Sequence, residues 1–207
     1  MTFTPKNCPV ARLARPASGV LRIGVVADTH IPDRMPALPP QLFDALHGVH
    51  HILHAGDICN AGVIPELERV APVLAVKGNR DYFFPANWKL PTDRFIEIGN
   101  IGIGLTHGHG GLWEYIGEKV IYLTVGYRLS RFIEKAFHRF DGLPVDVIVS
   151  GHSHFPVNEM RGGKLLFNPG AVGPDYRSTF GASIGILTLN VDGVKGEIVP
   201  LGFRYQN

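Results

Sequence analysis

The stretch SGHSHFP, residues 150–156, sets His152 and His154 one residue apart, directly after the apolar run VDVIV. Side chains at i and i+2 of a strand point to the same side, and a tight loop past a strand end can still aim two imidazoles at one point. A pair of this kind reads either as metal ligands or as two solvated loop histidines, and matching donors elsewhere decide between them. Four other apolar runs end in a similar way. VLRIGVVA (20–27) runs into DTH, VHHILHA (49–55) into GD, PVLAVK (72–77) into GNRD, and NIGIGLT (100–106) into HGHGG. The side chains gathered at the five ends include Asp28, His30, Asp57, Asn79, His107, His152 and His154, all oxygen or nitrogen donors with no thiolate among them. Turn and cap preferences account for a single Asp or Asn at such a place. They do not account for histidine recurring at three of the ends. An oxygen and nitrogen set without sulfur suits Mn²⁺, Fe²⁺ or Zn²⁺ better than Cu⁺.

The elements that must position these residues follow from the same runs. Helical patterns, PPQLFDALHG (39–48) and NAGVIPELERVA (60–71), separate the first three strands. Strand alternating with helix argues for an α/β domain. Further on, EMRGGKLLFN and ILTLNVDGVKGEIVPL carry Gly-Gly and Asp-Gly turns between apolar runs and read as β-hairpins. The expected object is an α/β sandwich of two mixed β-sheets with helices outside. Its five strand ends converge on one edge, where ligands bind in open α/β sheets.

The ordered motifs D-x-H, G-D, G-N-x-D, H-G-H and G-H-x-H resemble those of the calcineurin-like metallophosphoesterase superfamily. GNRD (78–81) and FNPGAVGP (167–174) are similar to the small YfcE-type phosphodiesterase branch, and the resemblance spans about residues 20–202. It implies a four-layer αββα sandwich, the metallophosphoesterase fold, and a dinuclear centre. By motif, Asp28, His30, Asp57 and His154 would hold one ion, and Asp57, Asn79, His107 and His152 the other, with Asp57 bridging. Manganese is the first choice, with iron(II), zinc or nickel as alternatives. A water between two such ions has its pKa lowered toward ~7, and the ions offset charge on a phosphoryl oxygen. The expected activity is hydrolysis of a small phosphodiester by the hydroxide so produced. A phosphomonoesterase, a nuclease and a non-catalytic scaffold of the same fold are the alternatives.

The catalytic candidates beyond the ligands are His109, Arg80 and Asp81, the last two from GNRD. Many superfamily members carry histidine at the position of Arg80. Arginine cannot act as an acid at ordinary pH, so Arg80 either contacts a phosphate oxygen or turns to solvent. His109 either protonates the leaving oxygen or hydrogen-bonds its loop and orients His107. His54 reads as a supporting or core histidine.

Residues 111–142 form an apparent helical insertion. Ile121, Val125, Leu129, Phe132, Ile133, Ala136, Phe137 and Phe140 fall at helical spacings. Core packing, a subunit interface giving a homo-oligomer, and a lid over the metal edge are the readings of that helix. Trp113 and Tyr115, just past the histidine loop, are expected to border the leaving group. Residues 1–19 read as a flexible tail and 20–207 as one domain, a length sufficient for a full core. The formal net charge of +2 gives no pull toward nucleic acid or membrane surfaces. No apolar run reaches the ~20 residues of a membrane helix. Two cysteines make no disulfide framework, so a cytoplasmic location is expected. No GK[ST] or GxGxxG follows a strand, which leaves no ATP or NAD site.

Overall fold

The structure, a computed structural model, describes residues 8–109, 117, 129–174 and 180–202. Two mixed sheets stack face to face. The six-stranded sheet has the order β1-β5-β6-β7-β9-β8 and the five-stranded sheet the order β11-β10-β2-β3-β4. Their ranges are β1 Val10–Arg12, β2 Leu21–Val26, β3 His51–His54, β4 Val73–Ala75, β5 Asp93–Ile98 and β6 Ile101–Thr106. The remainder are β7 Val147–Val149, β8 Val157–Arg161, β9 Lys164–Asn168, β10 Ser183–Asn190 and β11 Gly193–Pro200. Helices α1 (Pro40–Ala45), α2 (Val63–Glu68) and α3 (Leu129–His138), with 3₁₀ turns at Arg80–Phe83 and Pro85–Asn87, complete the described elements.

The period of two along each strand sorts side chains into layers. Ile23 and Val25 of β2 meet Ile103 and Leu105 of β6, Val147 and Val149 of β7, and Phe167 of β9 in the core between the sheets. On the outer face of the five-stranded sheet, Val26, Ile52 and Ile184 pack against Leu42 of α1 and Val63 and Leu67 of α2. On the opposite outer face Ile148 and Leu166 pack against Ala136 of α3 and against Phe140. The result is the expected αββα order. A Cβ on Gly104 would lie 2.5 Å from the Phe140 ring. Glycine is therefore what lets this aromatic lie flat on the sheet.

Two features depart from expectation. The segment read as a flexible tail contributes β1, which pairs parallel with β5 through Val10↔Phe95 and Arg12↔Glu97. Without it β5 would be an open edge with unpaired amides, and the Arg12–Glu97 ion pair at 2.7 Å reinforces the same register. The strand β5 itself was not anticipated. It forms an antiparallel hairpin with β6 through Gly99–Asn100, where Gly99 takes a φ of 62°.

Strands β2, β3 and β4 run parallel, as do β6 and β7. Hence the loops after all five leave from carboxyl ends of parallel strands, and these loops carry the donors found in the sequence.

Candidate metal centre

Among the described residues six that are not glycine have positive φ: Asp28 (55°), His30 (51°), Asp57 (55°), Cys59 (65°), His152 (69°) and His154 (62°). Left-handed backbone at such residues costs of the order of 1 kcal/mol or more each, and it persists only where surrounding structure over-determines it. Five of the six are ligands named from the motifs. Strain is concentrated where side chains must turn inward from a strand end.

The turned side chains meet. Ligand atoms of Asp28, His30 and His154 lie within 4.8 Å of one another, and so do those of Asp28, Asp57 and His107. His30 Nε2 is 3.2 Å from His154 Nε2, and His107 Nε2 is 3.1 Å from Asn79 Oδ1 and 3.2 Å from His152 Nδ1. All seven expected ligands are therefore brought together. The two compact groups share Asp28. The two oxygens of Asp57 divide between the groups, with Oδ2 3.7 Å from His30 Nε2 and Oδ1 3.5 Å from His107 Nε2.

The donor set fits cations. Asp28 is fully buried, and its Oδ1 accepts no well-aligned hydrogen bond among the described residues, where His154 Nε2 lies 3.2 Å away. Leaving a carboxylate oxygen in that state is costly unless a positive partner takes it. Although burial raises the carboxyl, His154 and His107 pull Asp28 down to about 2. Asp57 is likewise held well below the usual range, where His107 and His30 outweigh burial. Burial pushes His30 down to about 4 and His152 down to about 3, so both are neutral imidazoles with a lone pair near neutral pH. His107 is the exception, because burial is outweighed by Asp57 and Asp28, which raise it to about 9.

Second contacts set the orientation of these groups. His107 Nδ1 donates to the Ala55 carbonyl at 2.7 Å, so its Nε2 faces the cluster. Asn168, from the FNPGAVGP motif, donates through Nδ2 to Gly151 O at 2.8 Å and Ser153 Oγ at 3.1 Å. That contact holds the loop of His152 and His154. The same motif packs Gly173 on Asp28, and a Cβ there would fall 2.8 Å from the Asp28 carbonyl oxygen. His54 is a satisfied core histidine, accepting from Gly56 N at 3.2 Å and lying 3.3 Å from Thr29 Oγ1.

The three catalytic candidates fare differently. Asp81 acts as a structural tie between two loops. It is fully buried and accepts from Gly78 N (2.7 Å), Cys59 N (2.8 Å), Ile58 N (3.3 Å) and Asn87 Nδ2 (2.9 Å). With its oxygens occupied by four protein donors, it joins the Asp57 loop to the Asn79 loop. Arg80 does not simply turn to solvent; its guanidinium pairs with the Asp33 carboxylate at the rim, while its backbone N–H donates to Asp57 Oδ1 at 2.7 Å. His109 makes no side-chain hydrogen bond among the described residues. Its ring sits edge-on to His107, centroids 5.3 Å apart, and burial beside His107 and His152 pushes it down to about 2.

Phe132 of α3 lies edge-on to His152, ring centroids 4.9 Å apart. Helix α3 thus both packs on the sheet through Ala136 and borders the site. Trp113 and Tyr115 lie outside the described residues, as does most of the segment before α3. Sequence reasoning passed over Arg34. Its Nη1 donates to the Pro174 carbonyl at 3.0 Å and is 3.4 Å from His154 Nδ1. Its sequence position, four residues beyond a ligand in a polar loop, gave no signal of that contact.

A fold of two mixed sheets whose parallel strand ends gather Asp, Asn and His donors defines a metallophosphoesterase. Residues 21–192 match the calcineurin-like phosphoesterase superfamily domain, and the chain belongs to that superfamily. It is 33% identical over 180 residues to a probable metallophosphoesterase of Methanothermobacter thermautotrophicus, covering 87% of this chain and 92% of that one. Among solved structures, a Vps29 single mutant from Entamoeba histolytica superposes with a TM-score of 0.56 at 26% identity, covering 86% of this chain and 98% of that one. A structure described as a novel archaeal phosphodiesterase shares the fold, with a TM-score of 0.54 at 23% identity over 86% of this chain and 100% of that one. No helix among the described residues is long and apolar enough to cross a membrane.

Proposed function

We propose that the chain is a metal-dependent phosphodiesterase that holds two divalent cations, manganese first among them, and hydrolyses a small phosphodiester. The observation that carries this reading is the left-handed backbone at Asp28, His30, Asp57, His152 and His154, which turns five donors, four of them buried, toward one another. Asp28, His30, Asp57 and His154 would hold one cation, and Asp57, Asn79, His107 and His152 the other. The cations would supply Lewis acidity toward a phosphoryl oxygen and a hydroxide near neutral pH.

The chain's own residues do the remainder. Ala55 and Asn168 fix the tautomer and the loop through which imidazoles are presented. Asp81 keeps the two carboxylate-bearing and amide-bearing loops in register. Hydrolysis adds one water across a P–O ester bond: its oxygen ends on phosphorus and a proton on the departing alcohol. A neutral His109 does not carry the extra proton a strong general acid would give. This favours diesters whose alcohol leaves readily. The scaffold reading draws on the likeness to Vps29, but seven donors brought together at the strand ends, six of them buried, argue for retained chemistry.

The test is a panel of diesters and monoesters with and without Mn²⁺. Manganese-stimulated hydrolysis of bis(p-nitrophenyl) phosphate, abolished by chelation and exceeding that of p-nitrophenyl phosphate, supports the reading. Absence of turnover on all substrates with metal bound supports the scaffold.

A further inference from the structure

We infer that Arg34, rather than Arg80, is the residue that binds the phosphate anion of the substrate at this centre. The inference rests on the phosphodiesterase reading above and names the positive group it requires. Among the described residues two arginines, Arg34 and Arg80, border the cluster, and they are not equivalent. The Arg80 guanidinium is already paired with the Asp33 carboxylate. Arg34 has no carboxylate within ion-pair distance among the described residues, and its side-chain contacts there are the Pro174 carbonyl and His154 Nδ1. A guanidinium has five N–H donors in a planar fork, so most of this fork stays available.

Arg34 is also held in place. Its backbone N–H donates to the His30 carbonyl at 2.9 Å, which closes the turn that follows the first two ligands. Pro174 belongs to the loop whose Gly173 N–H donates to the Asp28 carbonyl at 2.9 Å. The side chain is therefore clamped between the Asp28–His30 loop and the loop that packs on it, with its cation directed at His154. No carboxylate among the described residues balances it there, and two divalent cations beside the carboxylates of Asp28 and Asp57 would leave this side net positive. An anion is what such a place lacks. Phosphate matches the fork, because its oxygens accept paired, parallel N–H bonds.

The test uses manganese-loaded protein, with inorganic phosphate titrated by calorimetry and bis(p-nitrophenyl) phosphate followed kinetically. One charge-assisted contact of this kind is worth roughly tenfold or more in affinity. Arg34→Ala is expected to weaken phosphate binding by at least about that factor and to raise KM, with metal content and thermal midpoint unchanged. Arg34→Lys, which keeps the charge but not the fork, should fall between the two, and Arg80→Ala should weaken phosphate binding less than Arg34→Ala. Phosphate affinity equal in wild type and Arg34→Ala, or a larger loss in Arg80→Ala, overturns the inference while leaving the phosphodiesterase reading intact. A wild-type protein that binds no phosphate and turns over no diester overturns both.

Discussion

Asp81 accepts the amide hydrogens of Gly78 at 2.7 Å and of Cys59 at 2.8 Å, and so fastens the loop that bears Asn79 to the loop that bears Asp57. Neither ligand loop has a regular ladder to hold it. Removing the carboxylate would leave buried amides without acceptors, at about 1–3 kcal/mol for each group left unsatisfied. Asp81→Ala is expected to destabilise the fold by roughly 3 kcal/mol and to weaken metal binding, read by urea unfolding and metal titration. An unfolding midpoint equal to wild type would show that water replaces the carboxylate.

Gly78 offers a sharper probe of the same loop. A Cβ there would lie 2.2 Å from Asp57 Oδ1 and 2.4 Å from Asp57 N, closer than atoms approach. Gly78→Ala should displace Asp57 and lower manganese affinity by about tenfold or more, with the circular dichroism of the sheets kept. Wild-type affinity in this variant would place Asp57 elsewhere than between the two groups.

Ligands and rim residues should separate kinetically. His152 belongs to the cluster through its 3.2 Å contact with His107 Nε2, whereas Arg80 is paired away with Asp33. His152→Ala is expected to lose about a hundredfold or more in kcat/KM, and Arg80→Ala less than about tenfold. Equal losses would mean that Arg80 reaches the reacting phosphate after all.

The metal-free protein should show a defined pH response. His30, His54 and His152 are held neutral mainly by burial, at about 4, 3 and 3. Their ordinary value is 6.5, so below it the unfolded chain binds protons that the folded chain refuses. Stability is then fully present above pH 6.5 and falls as the pH drops toward 4, with a slope of up to about 1.4 kcal/mol per pH unit for each group. His107 works the other way: raised to about 9, it contributes below pH 6.5 and its contribution is lost on the way to 9. Urea unfolding of chelated protein at pH 7, 5.5 and 4.5 should give steadily lower stabilities. A flat profile across that range would show that these imidazoles are solvated.

Much of this was legible because the chemistry sits where strong local patterns end. Each donor follows an apolar run, so Asp28, Asp57, His107 and His152 could be placed at strand ends from the chain alone. The layers were legible for the same reason: the alternation in Ile23, Val25 and Val26 already assigns each side chain to a face. The strand β1 was not, because three residues carry no period of their own and gain their meaning only from β5. Asp81 looked catalytic because it stands in a ligand motif, while its four donors come partly from a loop more than twenty residues earlier. Arg34 was invisible for a related cause. Its anchor, the Pro174 carbonyl, is 140 residues away, and its lack of a counter-ion among the described residues is a property of space rather than of spacing.

Elemental analysis of manganese-loaded protein, paired with calorimetric titration, tests the proposed centre of two cations that share Asp57. Two ions per chain are expected in wild type, with lowered affinity at both sites in Asp57→Asn, since that change removes the carboxylate whose two oxygens face His30 and His107. One ion or none per chain in the fully loaded wild-type protein would contradict it.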